Sequence, residues 1–192
     1  MSMSEKTVKT QFAKFQYFYP YTVALIGAKT PEHTNFMSCA WHTALSFDPP
    51  LFGVLIAKKR LTHKVIAEAE EFTVNFIRAD QALLSAQYGR KSGFDLIKIQ
   101  EFPVKLNPSR VIQSPVIDDA YVCFECRLTE IRTYGDHDLF VGEVLAIHQE
   151  KTSFDENGVL KPHNIHPLLY LGSDFYITID PDSLIHVHPD KQ

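Results

Sequence analysis

Apolar and polar positions alternate with a period of two along much of this chain. Val122–Ile131 shows it best: Val122, Phe124, Cys126 and Leu128 fall on an inward face, with Glu125 and Arg127 outward. Phe72–Ile77 repeats the pattern, Phe72, Val74 and Phe76 opposing Thr73 and Asn75. Tyr21–Ala28, Leu139–His148 and Phe175–Ile179 read as further strands, the first running into a turn at Lys29-Thr30-Pro31. Leu51–Ala57 is apolar throughout, as expected of a strand covered on both faces. Asn157-Gly158 is a hairpin-turn signal.

Helical spacing is rarer. Thr62 is placed to cap a helix over His63–Glu71 whose apolar stripe is Val65, Ile66 and Ala69. Asp80 is placed to cap Gln81–Tyr88, with Gly89 ending it, and a short helix is predicted around Phe94–Ile99. Many strands and few short helices predict a mainly β fold, a β-barrel with helices packed at its ends. At 192 residues, with no repeat or linker, the chain reads as one domain spanning 1–192.

Charge and composition narrow the partners. A net charge of −4 gives no bulk electrostatic case for nucleic acid or an anionic membrane, and no apolar run is long enough to span a bilayer. The polar stretch Met1–Lys9 lacks the apolar core of a signal peptide, and three cysteines make no disulfide framework. Both point to the cytoplasm.

Two segments carry candidate chemistry. The helix expected at Thr62 is charged against its dipole: Lys58, Lys59, Arg60, His63 and Lys64 crowd its start, Glu68, Glu70 and Glu71 its end. That arrangement costs roughly 0.3–1 kcal/mol per exposed charge. A phosphate at the helix start would reverse the sign; a solvated basic turn is the other reading, and spacing leaves both open. Before it, the polar stretch Thr34–Trp41 reads as a binding loop. Asn35, Ser38, Cys39 and the backbone N–H groups of Met37 to Ala40 offer small hydrogen-bonding groups, and Phe36, Met37 and Trp41 offer walls for a planar heterocycle. Each of those three, taken alone, also reads as a core residue.

In order and spacing these segments resemble the flavin reductase-like family. The resemblance rests on Tyr19–Gly27, Thr34–Trp41, Asp48-Pro49-Pro50-Leu51, Arg60-Leu61-Thr62-His63-Lys64, Glu71-Phe72-Thr73-Val74-Asn75, Gly89-Arg90-Lys91-Ser92-Gly93-Phe94-Asp95 and Gly135–Val144, which together span nearly the whole chain. The resemblance implies a split β-barrel of the FMN-binding type, a homodimer with flavin near the interface, and small-molecule electron donor and acceptor. It implies FMN as cofactor and NADH or NADPH as transient donor, in an oxidoreductase or in a flavoredoxin-like carrier without its own NAD(P)H activity. By the same resemblance the flavin ring would lie along Asn35, Phe36, Met37, Ser38, Cys39, Ala40 and Trp41. Its phosphate would lie by Ala57, Lys58, Arg60, Thr62, His63 and Lys64, and His137 would position the donor or acceptor on the flavin face. His137 also reads as a plain turn histidine, and Tyr170, a further candidate for that pocket, as core.

Other pairs are set aside. Cys123 and Cys126 stand three apart in a strand and so face opposite ways. His163 with His166, and His186 with His188, have no acidic or cysteine partner at ligand spacing, so no metal is read. No dinucleotide fingerprint occurs, which makes any nicotinamide a transient substrate.

Overall fold

A computed structural model describes residues 6–187; His188 lies outside them. The polar-apolar alternation becomes a seven-stranded sheet, joined by a three-stranded and a two-stranded sheet. Tyr21–Ala28 is divided. β1 (Tyr21–Thr22) leaves for the small sheet, and β2 (Ala24–Lys29) enters the large one after Val23 donates to the Leu168 carbonyl. The stretch expected as a loop is a strand, β3 (Thr34–Cys39), which pairs with β2 and is followed by β4 (His42–Phe47) and β5 (Pro50–Ala57). Next come α1 (Leu61–Ala69), β6 (Glu71–Phe76), α2 (Ala82–Arg90) and α3 (Lys98–Glu101). The short β7 (Leu106–Asn107) and β8 (Val116–Ile117) precede the long hairpin of β9 (Val122–Tyr134) and β10 (His137–Gln149); β11 (Leu169–Gly172) and β12 (Phe175–Ile177) pair with β1's sheet.

The large sheet runs β3-β2-β6-β9-β10-β5-β4, so β3 and β4 occupy opposite edges. Only Ala40 and Trp41 separate them in the chain. Three residue steps reach about 11 Å at most, so the two edges must be brought together and the sheet must curl into a barrel. At the seam the Leu55 N–H donates to the Trp41 carbonyl (2.9 Å). β3 has a strand partner on one side only, and its Phe36 carbonyl accepts from Lys98 Nζ (3.2 Å).

The barrel interior holds Ala24, Ile26, Met37, Cys39, Val54, Ile56, Phe72, Val74, Cys126 and Phe140, closed at one end by Val65 and Ile66 of α1. Val23, Leu25 and Phe36, on the other face of β2 and β3, pack with Tyr88 of α2, Ile77, Ile117 and Leu168. Two cores explain why strands that alternate in sequence are buried on both faces.

Helix limits shift for local reasons. α1 begins at Leu61 with Arg60 as its N-cap, not Thr62, which is buried in the first turn; it ends before Glu70, whose φ of 55° breaks the helix, and Glu71 opens β6. α2 follows a 3₁₀ turn at Ala79–Gln81 that takes in Asp80, and it runs through Gly89 to Arg90. Cations supplied from elsewhere allow that extension. Lys98 Nζ donates to the Tyr88 carbonyl (2.8 Å) and Arg60 Nη1 to that of Gly89 (3.3 Å), satisfying carbonyls a helix end leaves bare. The helix expected at Phe94–Ile99 lies later, at Lys98–Glu101.

Glu125, expected outward, is fully buried. Its carboxylate accepts from the backbone N–H groups of Arg110 (2.6 Å), Val111 (2.7 Å) and Ile112 (3.2 Å) and pairs with His148 Nε2 (2.5 Å). Glu71 holds the same loop through Gln113 and Ser114, so two carboxylates fasten residues 110–114 over the outside of β6 and β9. Cys123 and Cys126 are free and buried, and Asn157-Gly158 turns with φ 77° at Gly158 between the bridged residues Phe154 and Leu160.

Candidate functional site

The barrel seam opens into two adjoining clefts. One, of about 330 Å³, is lined by Met37, Ser38 and Cys39 of β3, by Ala40 and Trp41 of the link to β4, by Leu55 and Ala57 of β5, by Lys59 and Arg60 before α1, and by Asp136 and His137. The other, of about 190 Å³, shares Ser38, Ala40 and Arg60 and adds Ser85, Ala86, Gly89 and Arg90 of α2 with Tyr170, Asp174 and Tyr176.

Strand register sets this convergence. His137 opens β10 directly opposite Ala57, the last residue of β5, so a residue eighty positions downstream meets the turn into α1. Its ring lies 4.9 Å from that of Trp41, and its Nδ1 is held by Asp136 Oδ1 at 2.8 Å. On the floor, Ser38 Oγ and Ser85 Oγ are 2.8 Å apart, and Ser85 continues to the Tyr176 hydroxyl (3.3 Å).

Charge at the helix start is uneven in effect. α1 has no acidic residue in its first turn, no basic residue in its last, and no side-chain cap. His63 and Lys58 are occupied by Asp138: His63 Nε2 lies 2.7 Å from one carboxylate oxygen and Lys58 Nζ 3.6 Å from the other. The hydrogen bond from His63, then one from Thr133, holds Asp138 below the usual carboxylate range against the opposing effect of burial. Lys59 and Arg60 are the cations left facing the cleft, joined by Arg90 across it.

Of the residues singled out in the sequence, Met37, Ser38, Cys39, Ala40, Trp41, Ala57, Arg60 and His137 come together here. Asn35 and Thr62 are buried against each other, Nδ2 donating to Oγ1 at 2.7 Å. Phe36 is buried in the outer core, and Lys64 is exposed. Cys39 lines the cleft, but its thiol reaches the Trp41 carbonyl (3.4 Å), and burial pushes its pKa up to about 12, so it is no ready nucleophile. His42 stacks on Phe52 at 5.7 Å and donates from Nε2 to the Thr22 carbonyl (3.0 Å), away from the cleft; burial lowers its pKa against the pull of that carbonyl.

Ser85, Arg90, Asp174 and Tyr176 also line the site. Only Arg90 carried a signal, in the segment Gly89–Asp95. Gly93 of that segment sits where a Cβ would meet Asn35 Oδ1 at 2.6 Å, which fits the chain closely onto the start of α1. A separate polar concavity, lined by Arg78, Asp118, His148 and Glu150, is laced by its own ion pairs, Arg78 with Glu150 and Lys105 with Asp118. Among the described residues no three His, Cys, Asp or Glu side chains gather as a metal site, and no helix is long and apolar enough to cross a membrane.

The cleft therefore offers an unpaired strand edge, hydroxyls and flat apolar walls near one end, and cations at an open helix start near the other. Residues 16–178 match the model of the flavin reductase like domain. FMN reductase (NADH) SmoA of Agrobacterium fabrum is 35% identical over 130 residues, covering 67% of this chain and 70% of that one. An FMN-binding protein from Thermus thermophilus superposes with a TM-score of 0.84 at 34% identity, over 96% of this chain and 100% of that one. Flavoredoxin from Methanosarcina acetivorans superposes with a TM-score of 0.84 at 25% identity, over 97% of each chain.

Proposed function

The chain belongs to the flavin reductase-like domain family, and from that premise we propose that it is an FMN-binding oxidoreductase. In this reading it passes reducing equivalents from NADH or NADPH to a small-molecule acceptor. The observation that carries the reading is the meeting of β3's unpaired edge, Trp41, Arg60 and His137 in one cleft. The donor set fits FMN: backbone N–H groups and hydroxyls suit a polar ring edge, Trp41 and Met37 suit its faces, and Lys59, Arg60 and the uncapped start of α1 suit a phosphate.

FMN, when bound, supplies hydride acceptance and onward electron delivery. The protein's part is position and charge. Arg60 is the fork for a phosphate, with Lys59 beside it. Backbone donors of residues 38–41 stabilise negative charge that develops on a ring held against them. Trp41 and His137 narrow the mouth and exclude water there. His137, oriented by Asp136, is assigned to positioning the donor or acceptor. Asn35, Phe36 and Thr62 support this surface from beneath, and the exposed Lys64 adds to its positive field, whereas His63 and Lys58 are held to Asp138.

We read the working form as a single-domain protein acting as a cytoplasmic homodimer. Edge strand β4 supports the dimer, since it presents Leu45 and Phe47, the latter 98% exposed, with no strand beyond it. Three free, buried thiols suit a reducing compartment.

The likeness to flavoredoxin favours one other reading, an electron carrier that binds FMN but is not reduced by NAD(P)H. An absorbance spectrum of purified protein with FMN, recorded anaerobically before and after NADH or NADPH, separates them. Bleaching by the nicotinamide supports the oxidoreductase, and bound flavin that resists NAD(P)H but accepts electrons from dithionite supports the carrier. Protein that neither binds FMN nor quenches its fluorescence overturns both.

A further inference from the structure

Three hydroxyls stand in a row behind the wall that the two clefts share. Ser38 Oγ, on β3, lines both clefts. Ser85 Oγ reaches across from α2 and lies 2.8 Å behind it, and the Tyr176 hydroxyl of β12 lies 3.3 Å beyond Ser85. Ser85 is fully buried, and a buried hydroxyl finds its partners among its neighbours. These two oxygens are the partners the fold gives it. Tyr176 comes to the seam on a separate sheet, its ring 5.4 Å from that of Tyr170. Three segments far apart in sequence thus supply one line of oxygens that ends in the cleft assigned to FMN.

The hydrogens give this line a direction. Each hydroxyl has one hydrogen to donate and lone pairs with which to accept. In the outer link Ser85 is the donor and Tyr176 the acceptor. Ser85 then has no hydrogen left for Ser38, so in the inner link, whose geometry suits either serine as donor, Ser38 donates. The Ser38 hydrogen therefore points away from the cleft, and its oxygen turns lone pairs towards it. Burial holds the Tyr176 hydroxyl above the ordinary tyrosine range against the opposing hydrogen bond from Ser85. Tyr176 is thus a neutral phenol at pH 7, and its own titration does not disturb the line there. A serine hydroxyl with no such neighbours would rotate to donate or accept as a ligand required; this one is biased to accept.

We propose, building on the FMN reading of this cleft, that Ser85 and Tyr176 are positioning residues that hold Ser38 as an acceptor and so favour reduced over oxidised FMN. Reduced flavin carries an N–H on its ring where the oxidised form has a bare acceptor nitrogen. An oxygen that offers only lone pairs suits the first and opposes the second. Backbone N–H groups along the wall donate whatever the redox state, so the hydroxyl line is the part of the wall that distinguishes the two forms.

Tyr176→Phe tests the direction of the line, not merely its presence. Without the phenol oxygen, the Ser85 hydrogen turns to Ser38, and Ser38 donates into the cleft. Ser85→Ala cuts the line and leaves Ser38 free to rotate. The midpoint potential of FMN bound to the full chain, titrated anaerobically with dithionite and compared with that of free FMN, gives the ratio of reduced to oxidised affinity. Quenching of FMN fluorescence gives the oxidised affinity by itself. Tyr176→Phe should lower the ratio about tenfold, a fall of about 30 mV for a two-electron couple. Ser85→Ala should lower it about threefold, or about 15 mV, and Tyr176→Phe should add nothing in the Ser85→Ala background. Oxidised FMN should bind to Tyr176→Phe as tightly as to wild type or tighter, which a purely structural loss would not produce. A potential unmoved or raised by Tyr176→Phe, or additive effects in the double variant, would overturn the proposal and leave FMN binding intact. Should Tyr176→Phe fail to hold flavin, an unmoved or raised potential in Ser85→Ala would overturn it alone. Wild-type protein that takes up no FMN would overturn the FMN reading and this proposal with it.

Discussion

Arg60→Ala isolates the phosphate half of the proposed flavin site. Arg60 is half-buried at the N-cap of α1, and its one fixed contact is from Nη1 to the Gly89 carbonyl at 3.3 Å. That bond is long, and the carbonyl stays near solvent, so its loss costs stability less than about 1 kcal/mol. A guanidinium on a phosphate is a charge-assisted pair worth about 2 kcal/mol at a half-buried site, or roughly thirtyfold in Kd. The assay is quenching of flavin fluorescence on titration with protein, run in parallel with FMN and riboflavin. FMN affinity should fall roughly thirtyfold while riboflavin affinity holds within about twofold. Arg60→Lys should recover only part of the loss, since an ammonium keeps the charge but not the fork. The effect should shrink in 1 M salt, where the Debye length is about 3 Å. Equal losses for FMN and riboflavin would refute the reasoning, because Arg60 would then be holding the ring's surroundings and not the phosphate.

Three further outcomes are expected. His137→Ala should lower steady-state NADH oxidation about tenfold with FMN affinity changed less than about threefold; unchanged values for both would remove His137 from the site. Glu125→Gln should cost about 2–4 kcal/mol in urea unfolding at pH 7, since the amide cannot serve three backbone donors and His148. Burial pushes the Glu125 pKa up, but those hydrogen bonds outweigh it and hold the carboxyl below its ordinary 4.5. The stabilisation is therefore present above pH 4.5 and fades as pH falls through the lower folded value, where wild type and variant should converge. Lys98, buried and donating to the Phe36 and Tyr88 carbonyls, is lowered to about 8 by burial and then by nearby Arg60. Its unfolded form keeps a proton that the folded form sheds between about pH 8 and 10.5, so wild-type stability should rise across that window relative to Lys98→Met, by roughly 3 kcal/mol at most.

Much of the β architecture was legible because burial on one face leaves a period-two trace. β10 and β6 lie within one or two residues of the stretches predicted for them, and β9 starts where predicted and runs three residues further. What was not legible depends on distant partners. Glu125 looked like a solvent residue because its ligands are backbone N–H groups of residues 110–112, which carry no side-chain signature. Gly89 looked like a helix terminator because the cations that cap α2, Arg60 and Lys98, come from other segments. In the site, Trp41, Arg60 and His137 could be named from their motifs, whereas Ser85 and Tyr176 enter only because α2 packs against β3 and the Tyr176 hydroxyl meets Ser85 there.

Thr34–Cys39 is the instructive case, since it was read as a loop and is a strand. The two readings agree on chemistry for a physical reason. A loop offers ligands its backbone donors because nothing else uses them; β3 offers them because it is the last strand on its side of the sheet. The two-residue link through Ala40 and Trp41 then carries that bare edge to β5, whose end at Ala57 leads into the basic start of α1. An unpaired strand edge invites wrong pairing, and a helix charged against its dipole loses roughly 0.3–1 kcal/mol per charge. Either feature alone is a defect tolerated for packing. Placed on two walls of one cleft, with Ser38 and Arg60 both lining it, they are relieved together by a single ligand that is polar along a flat edge and anionic at its end.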